Sequence, residues 1–137
     1  MWECKGAKHA LLVMALSSIT GCTTVTATPV PEMRMMADGQ TFTLHPGDMV
    51  MLADRSRLRY QRVTADSRCP PDVQCIWAGD AEVSFEWLPA NATSTTFSLH
   101  TGKEPRLQRI GERTLTLLSL ERGDMPDAQL RIERGIE

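Results

Sequence analysis

Apolar and polar residues alternate along most of the chain beyond residue 40, and a period of two marks strands with one buried face. Ala81, Val83, Phe85 and Trp87 alternate with Glu82, Ser84 and Glu86, setting four apolar side chains on one side. Phe97 and Leu99 repeat the pattern against Thr96, Ser98 and His100, and Leu130 and Ile132 repeat it against Arg131 and Glu133. Leu115 and Leu117 alternate with Thr114 and Thr116, but Leu118 and Leu120 change face, which predicts a bulge or a second buried face. Upstream, Phe42 with Leu44, Val50 with Leu52, and Leu58 with Tyr60 give three more short strands. Turn-setting residues separate them at Pro46-Gly47-Asp48, Asp54-Arg55-Ser56, Pro89-Ala90-Asn91, Thr101-Gly102-Lys103 and Arg122-Gly123-Asp124. About seven short strands without a helical period predict an all-β domain over residues 40–137. Its form would be an antiparallel sandwich of immunoglobulin-like size or a small barrel.

The first residues break this pattern. Lys5 and Lys8 precede an apolar stretch, Ala10 to Leu16, that is too short to span a bilayer. The stretch closes on Ile19-Thr20-Gly21-Cys22, which resembles the lipobox of bacterial lipoprotein precursors, where small residues precede a Cys that becomes lipidated and N-terminal. The resemblance implies a signal peptide over residues 1–21 and fatty-acyl chains, palmitate among them, on Cys22. An ordinary secretory signal cut near Gly21 is the alternative. Removing Met1–Gly21 leaves 116 residues, and losing Lys5, Lys8 and Glu3 leaves 13 basic against 16 acidic side chains, a net of −3. Several acyl chains anchor a protein firmly, whereas one holds only marginally. Thr23 rather than Asp follows Cys22, which by analogy with enteric bacteria favours an outer-membrane anchor facing the periplasm. Residues 22–39, rich in Thr and Pro at their start, then read as the lipidated Cys and a flexible tether.

Composition narrows the function classes. The whole chain of 137 residues carries a net charge of −2, without the basic stripe of a nucleic-acid binder. Three Phe, three Trp and one Tyr are few for a single-strand stacking platform. The expected partners are therefore the membrane, through the N-terminal lipid, and an envelope protein, with no nucleic acid.

One segment stands apart: Asp66-Ser67-Arg68-Cys69-Pro70-Pro71-Asp72-Val73-Gln74-Cys75-Ile76-Trp77-Ala78-Gly79-Asp80-Ala81. Outside the cytoplasm, Cys69 and Cys75 are most economically a disulfide. Pro70 and Pro71 stiffen the same loop by fixing φ, and Gly79 permits the turn into the next strand. The runs Asp66–Pro70 and Val73–Ala81 resemble the signature of small, largely uncharacterised bacterial exported proteins, with loose correspondence at Gln40–Leu44, Leu115–Leu120 and Ala128–Ile132. The resemblance implies a common small β domain, often lipid-anchored, and brings no catalytic residues. Two readings of the loop stay open. As a structural staple, Arg68 pairs with Asp66 or Asp80 while Trp77 covers the bridge or fills the sandwich edge. As a recognition loop, it presents Arg68, Asp72 and Trp77 to a partner, since a pre-stiffened loop binds with little ordering cost.

Catalytic signals are weak. After removal of residues 1–21 only His45 and His100 remain, both beside turns where solvent-facing positions are expected, and neither lies in a nucleophile motif. No catalytic residue, cofactor or enzyme activity is assigned. His45 with Met49 and Met51 could suit a periplasmic soft-metal (copper) site, but Met49 and Met51 alternate with Val50 and Leu52 like a half-buried strand.

Overall fold

The computed structural model describes residues 33–135. The expected signal segment, Cys22 and most of the expected tether lie outside the described residues.

Among the described residues, nine strands form two sheets. They are β1 (Met35–Met36), β2 (Thr41–Leu44), β3 (Met49–Leu52), β4 (Arg57–Asp66), β5 (Ala81–Leu88), β6 (Thr95–His100), β7 (Leu107–Ile110), β8 (Arg113–Leu120) and β9 (Ala128–Arg134). The five-stranded sheet has the order β1-β3-β4-β5-β6 and the four-stranded sheet β2-β9-β8-β7. Every pairing is antiparallel except β1 with β3. The inward faces are the ones the alternation selects: Phe42, Leu44, Val50, Leu52, Leu58, Tyr60, Val83, Phe85, Leu99, Leu115, Leu117, Leu130 and Ile132 are buried together between the sheets. Phe85 packs between Tyr60 and Phe97, with ring centroids 5.4 and 5.9 Å away. The fold is therefore the expected all-β sandwich. Leu118 is the predicted bulge: register slips between Leu117 and Ser119, turning Leu118 outward and returning Leu120 to the interior.

Three features depart from the alternation. Met35 and Met36 pair with Met51 and Leu52, and Met36 is buried, so the fold begins before Gln40, inside the segment expected as tether. β7 adds an edge strand whose sequence, Leu-Gln-Arg-Ile, buries only Ile110 and so shows no alternation. β4 continues six residues beyond Tyr60, with register shifts at Tyr60/Arg62 and Val63/Ala65 that destroy the period of two.

Chain direction defines two ends. The β3–β4 turn lies at one end, where the buried Arg113 guanidinium meets Asp38 at 2.6 Å and Asp54 at 3.0 Å. Desolvation pushes the Asp54 carboxyl up, but bonds from Ser56 and the charge of Arg113 outweigh it and hold Asp54 below the usual carboxylate range. The opposite end gathers the β2–β3 turn, the long β4–β5 loop and the β8–β9 loop. Tyr60 Oη donates across the core to the Pro126 carbonyl at 2.8 Å, tying the β8–β9 loop to the sandwich, and burial pushes the phenol up to about 12.

Candidate functional site

The β4–β5 hairpin does not close at its strand ends. Beyond Asp66 and Ala81 the two chains continue side by side: the Ser67 amide donates to the Asp80 carbonyl at 2.7 Å, and the Cys69 amide to the Ala78 carbonyl at 3.4 Å. Between them the chain folds back on itself. The Val73 amide reaches the Pro70 carbonyl at 3.2 Å, and Cys69 and Cys75 form the expected disulfide, with Cα atoms 5.8 Å apart. Gly79 adopts φ +70°, and a Cβ there would fall 2.1 Å from the Ser67 carbonyl oxygen. Only a residue without a side chain lets the loop's two strands approach this closely.

Arg68 is the anchor of the loop. Its Nε and Nη2 donate to Asp66 at 2.9 and 2.6 Å, and its Nη1 and Nη2 donate to the carbonyls of Leu120 and Glu121 at 2.7 and 2.8 Å. The paired guanidinium holds the Asp66 carboxyl below the usual carboxylate range. Arg122 returns the tie, donating to the Cys69 carbonyl at 2.7 Å. The disulfide loop and the β8–β9 loop are thus clamped to each other at both of these points. Arg68, with a side chain 11% exposed, has its donors engaged within the chain, which removes it from the expected recognition surface.

Asp80, the other acid considered for Arg68, serves the loop's far side. It accepts from the Gly102 amide at 2.8 Å and lies 2.7 Å from His100 Nδ1. Desolvation raises the Asp80 carboxyl, but the Gly102 amide and His100 outweigh it and leave it low. His100 is buried, against the solvent-facing position expected for it, because Asp80 draws its ring to the base of the loop.

The loop's other expected residues stay outside. Asp72 is exposed at the turn between the two cysteines. Trp77 is 80% exposed and Ile76 94%, with Val73 also exposed. Trp77 therefore neither covers the bridge nor fills the sandwich edge. Sequence reading singled out Trp77 and missed Ile76 and Val73, whose apolar character by itself argued for burial. Met125, on the β8–β9 loop that Arg68 grips and from which Arg122 reaches back, is exposed as well. The arrangement is a rigid base carrying an apolar, solvent-facing tip.

The soft-metal candidates fall in different settings. His45 sits in the β2–β3 turn, where its Nδ1 meets the Asp127 carboxylate; that hydrogen bond and the Asp127 charge raise its pKa above the ordinary 6.5. Met49 and Met51 lie half-buried on the outward side of β3, beside Arg59 and Arg57. Among the described residues no group of three or more His, Cys, Asp or Glu side chains is arranged to hold a metal ion.

Comparison with protein-family models, with curated proteins and with solved structures gives no match.

Proposed function

We propose that this chain is a lipid-anchored cell-envelope protein whose β-sandwich is a non-catalytic binding module, with the disulfide loop as its contact surface for an envelope protein. The observation that carries the reading is the contrast within one loop: Arg68 is held inside, while Trp77 and Ile76 stand almost fully in solvent. Exposing two large apolar side chains side by side forgoes about 1.5–3 kcal/mol of burial for each, which association with a partner would recover. A base fixed by the bridge, by two prolines and by the Arg68 clamp leaves little entropy to lose on binding. Tryptophan is also the side chain most often found at the energetic centre of protein interfaces. The lipidated Cys22 rests on the lipobox resemblance, and it places the module at the envelope. Affinity capture from crosslinked envelopes, with wild type beside Trp77→Ala at equal abundance, tests the proposal. A partner captured by wild type and lost with Trp77→Ala is the expected result; identical captured sets would overturn the assignment of the loop.

A further inference from the structure

The outward face of the five-stranded sheet carries a second surface, chemically unlike the loop tip. On β1, β3 and β4 its outward positions include Met35, Met49, Met51, Arg57, Arg59 and Arg62. Register sets Met35 beside Met51, Met51 beside Arg57, and Met49 beside Arg59, so thioethers and guanidiniums interleave across three strands. Among the described residues, Arg57, Arg59 and Arg62 form no ion pair. The outward carboxylates of this sheet, Glu82 and Glu86, belong to the adjacent β5, where Glu86 lies opposite Arg59 and Glu82 opposite Ala65 without closing an ion pair to any of the three arginines. Asp48, in the turn before β3, already accepts from the His45 amide and faces Arg34 at 3.6 Å. An open groove of about 410 Å³, lined by Gly47, Arg59, Gln61 and Arg62, extends the cationic surface toward that turn.

We propose that this Arg–Met face rests on anionic lipid headgroups. The inference builds on the lipid-anchored reading and adds an orientation to it. Three features favour a headgroup layer as the occupant. Free guanidiniums match phosphate geometry with two parallel hydrogen bonds each. The unbranched Met side chains adapt to a fluid, irregular surface. Third, only ten residues separate Cys22 from Met33, a reach of about 35 Å at full extension, and the chain enters the fold at β1, on the edge of this same face. A tether of that length turns weak electrostatic attraction into an effectively intramolecular contact. Against the net charge of −3 expected after processing, three arginines at outward positions of β4, with Glu86 the one carboxylate opposite them in register, are a local departure from the chain's overall balance.

The test is methionine oxidation footprinting of the native protein from envelopes, reconstituted in phosphatidylglycerol or in phosphatidylcholine vesicles. Met125 on the β8–β9 loop is 70% exposed and Met35 is 64% exposed, so Met125 serves as a matched control away from the face. Each guanidinium at an anionic surface contributes about fivefold to association, so protection of about threefold or more is readable. Met35, Met49 and Met51 are expected to oxidise that much more slowly on phosphatidylglycerol alone, with Met125 unchanged. Salt at about 0.5 M is expected to erase the difference by screening. The pair Arg59→Gln and Arg62→Gln, at exposed positions, is expected to erase it without loss of fold. Equal rates on both vesicles would overturn the proposal. Slower oxidation of Met125 alone would do so too, and would turn the loop end toward the bilayer instead. The intact mass of the N-terminal peptide separates the two readings. An unacylated Cys22 ends the anchor reading, while protection by added phosphatidylglycerol vesicles still decides the face.

Discussion

Arg68 and Trp77 are nine residues apart on one loop, and their opposite fates define it. Arg68 meets a carboxylate and two backbone carbonyls, so truncating it leaves the half-buried Leu120 carbonyl, the Glu121 carbonyl and the Asp66 carboxylate short of partners together. Arg68→Met should cost about 2–3 kcal/mol in urea denaturation, since hydrogen bonds to a charged donor are lost together. Trp77→Ala removes a side chain that stands in solvent, so its stability should fall within about 0.5 kcal/mol of wild type by the same measurement. A larger loss with Trp77→Ala would show that the ring packs against the loop after all. Gly79→Ala should destabilise by about 2 kcal/mol or more, because the new methyl meets the Ser67 carbonyl at a position that also needs φ +70°. At this scale the sequence made the disulfide, the glycine and the bulge at Leu118 legible, since each carries its own chemical signature. It could not reveal the burial of Arg68: the carbonyls that engage it lie 52 and 53 residues away, and a carbonyl has no side-chain signature. His100 was hidden for the same reason, its partner being 20 residues upstream across a hairpin.

Among the elements, the strands with a buried alternating face were legible, the edge strands β2 and β6 included, and the edge strands β1 and β7 were not. β9 alternates in burial from Ala128 to Glu133, and β5 keeps the period in its sequence although outward Ser84 is covered as well. β1 and β7 are edges, too short or too exposed to impose a period. The β4–β5 loop behaves as an element in its own right, closed by its bridge. Replacing both Cys69 and Cys75 by Ala should lower stability by about 2 kcal/mol, the loop-entropy value for so short a ring. An unchanged melting temperature would mean that Arg68 and the paired loop base suffice without the bridge. Charge also links the elements. The folded pKa of His45 is raised, so its bond to Asp127 stabilises most below the unfolded value of 6.5 and fades as pH rises through the higher folded value. The melting-temperature gap between wild type and His45→Gln should therefore be present near about pH 5.5 and closed by about pH 9. The carboxylates Asp54, Asp66 and Asp80 are lowered, so their contribution is present above the ordinary 3.8 and is lost as pH falls through their depressed values. Acid should loosen the loop base, where Asp66 and Asp80 both act, as read by hydrogen exchange at the Gly102 and Arg68 amides.

Across the whole molecule the sandwich works as a scaffold with unequal ends. One end is short turns locked by Arg113, Asp38 and Asp54; the other carries the β4–β5 and β8–β9 loops, which Tyr60, Arg68 and Arg122 bind to the body and to each other. Alternation made the sandwich itself legible, because a period of two with one apolar face admits few other solutions. Strand order was not legible, since any of these strands could satisfy its hydrophobic face beside several others, and the choice is made by pairings distant in sequence. The proposed contact surface was half legible. A disulfide, two prolines and a Trp marked the loop, but which of its side chains face outward depends on the clamp from the β8–β9 loop. The loop tip is proposed to meet a protein partner. A photo-activatable crosslinking residue placed at Ile76 in living cells tests it most directly, with Leu107, exposed on edge strand β7, as the control position. One discrete adduct is expected from position 76, absent from position 107 and lost when Trp77→Ala is combined with it. No adduct at 76, or the same adducts from both positions regardless of Trp77, would contradict it.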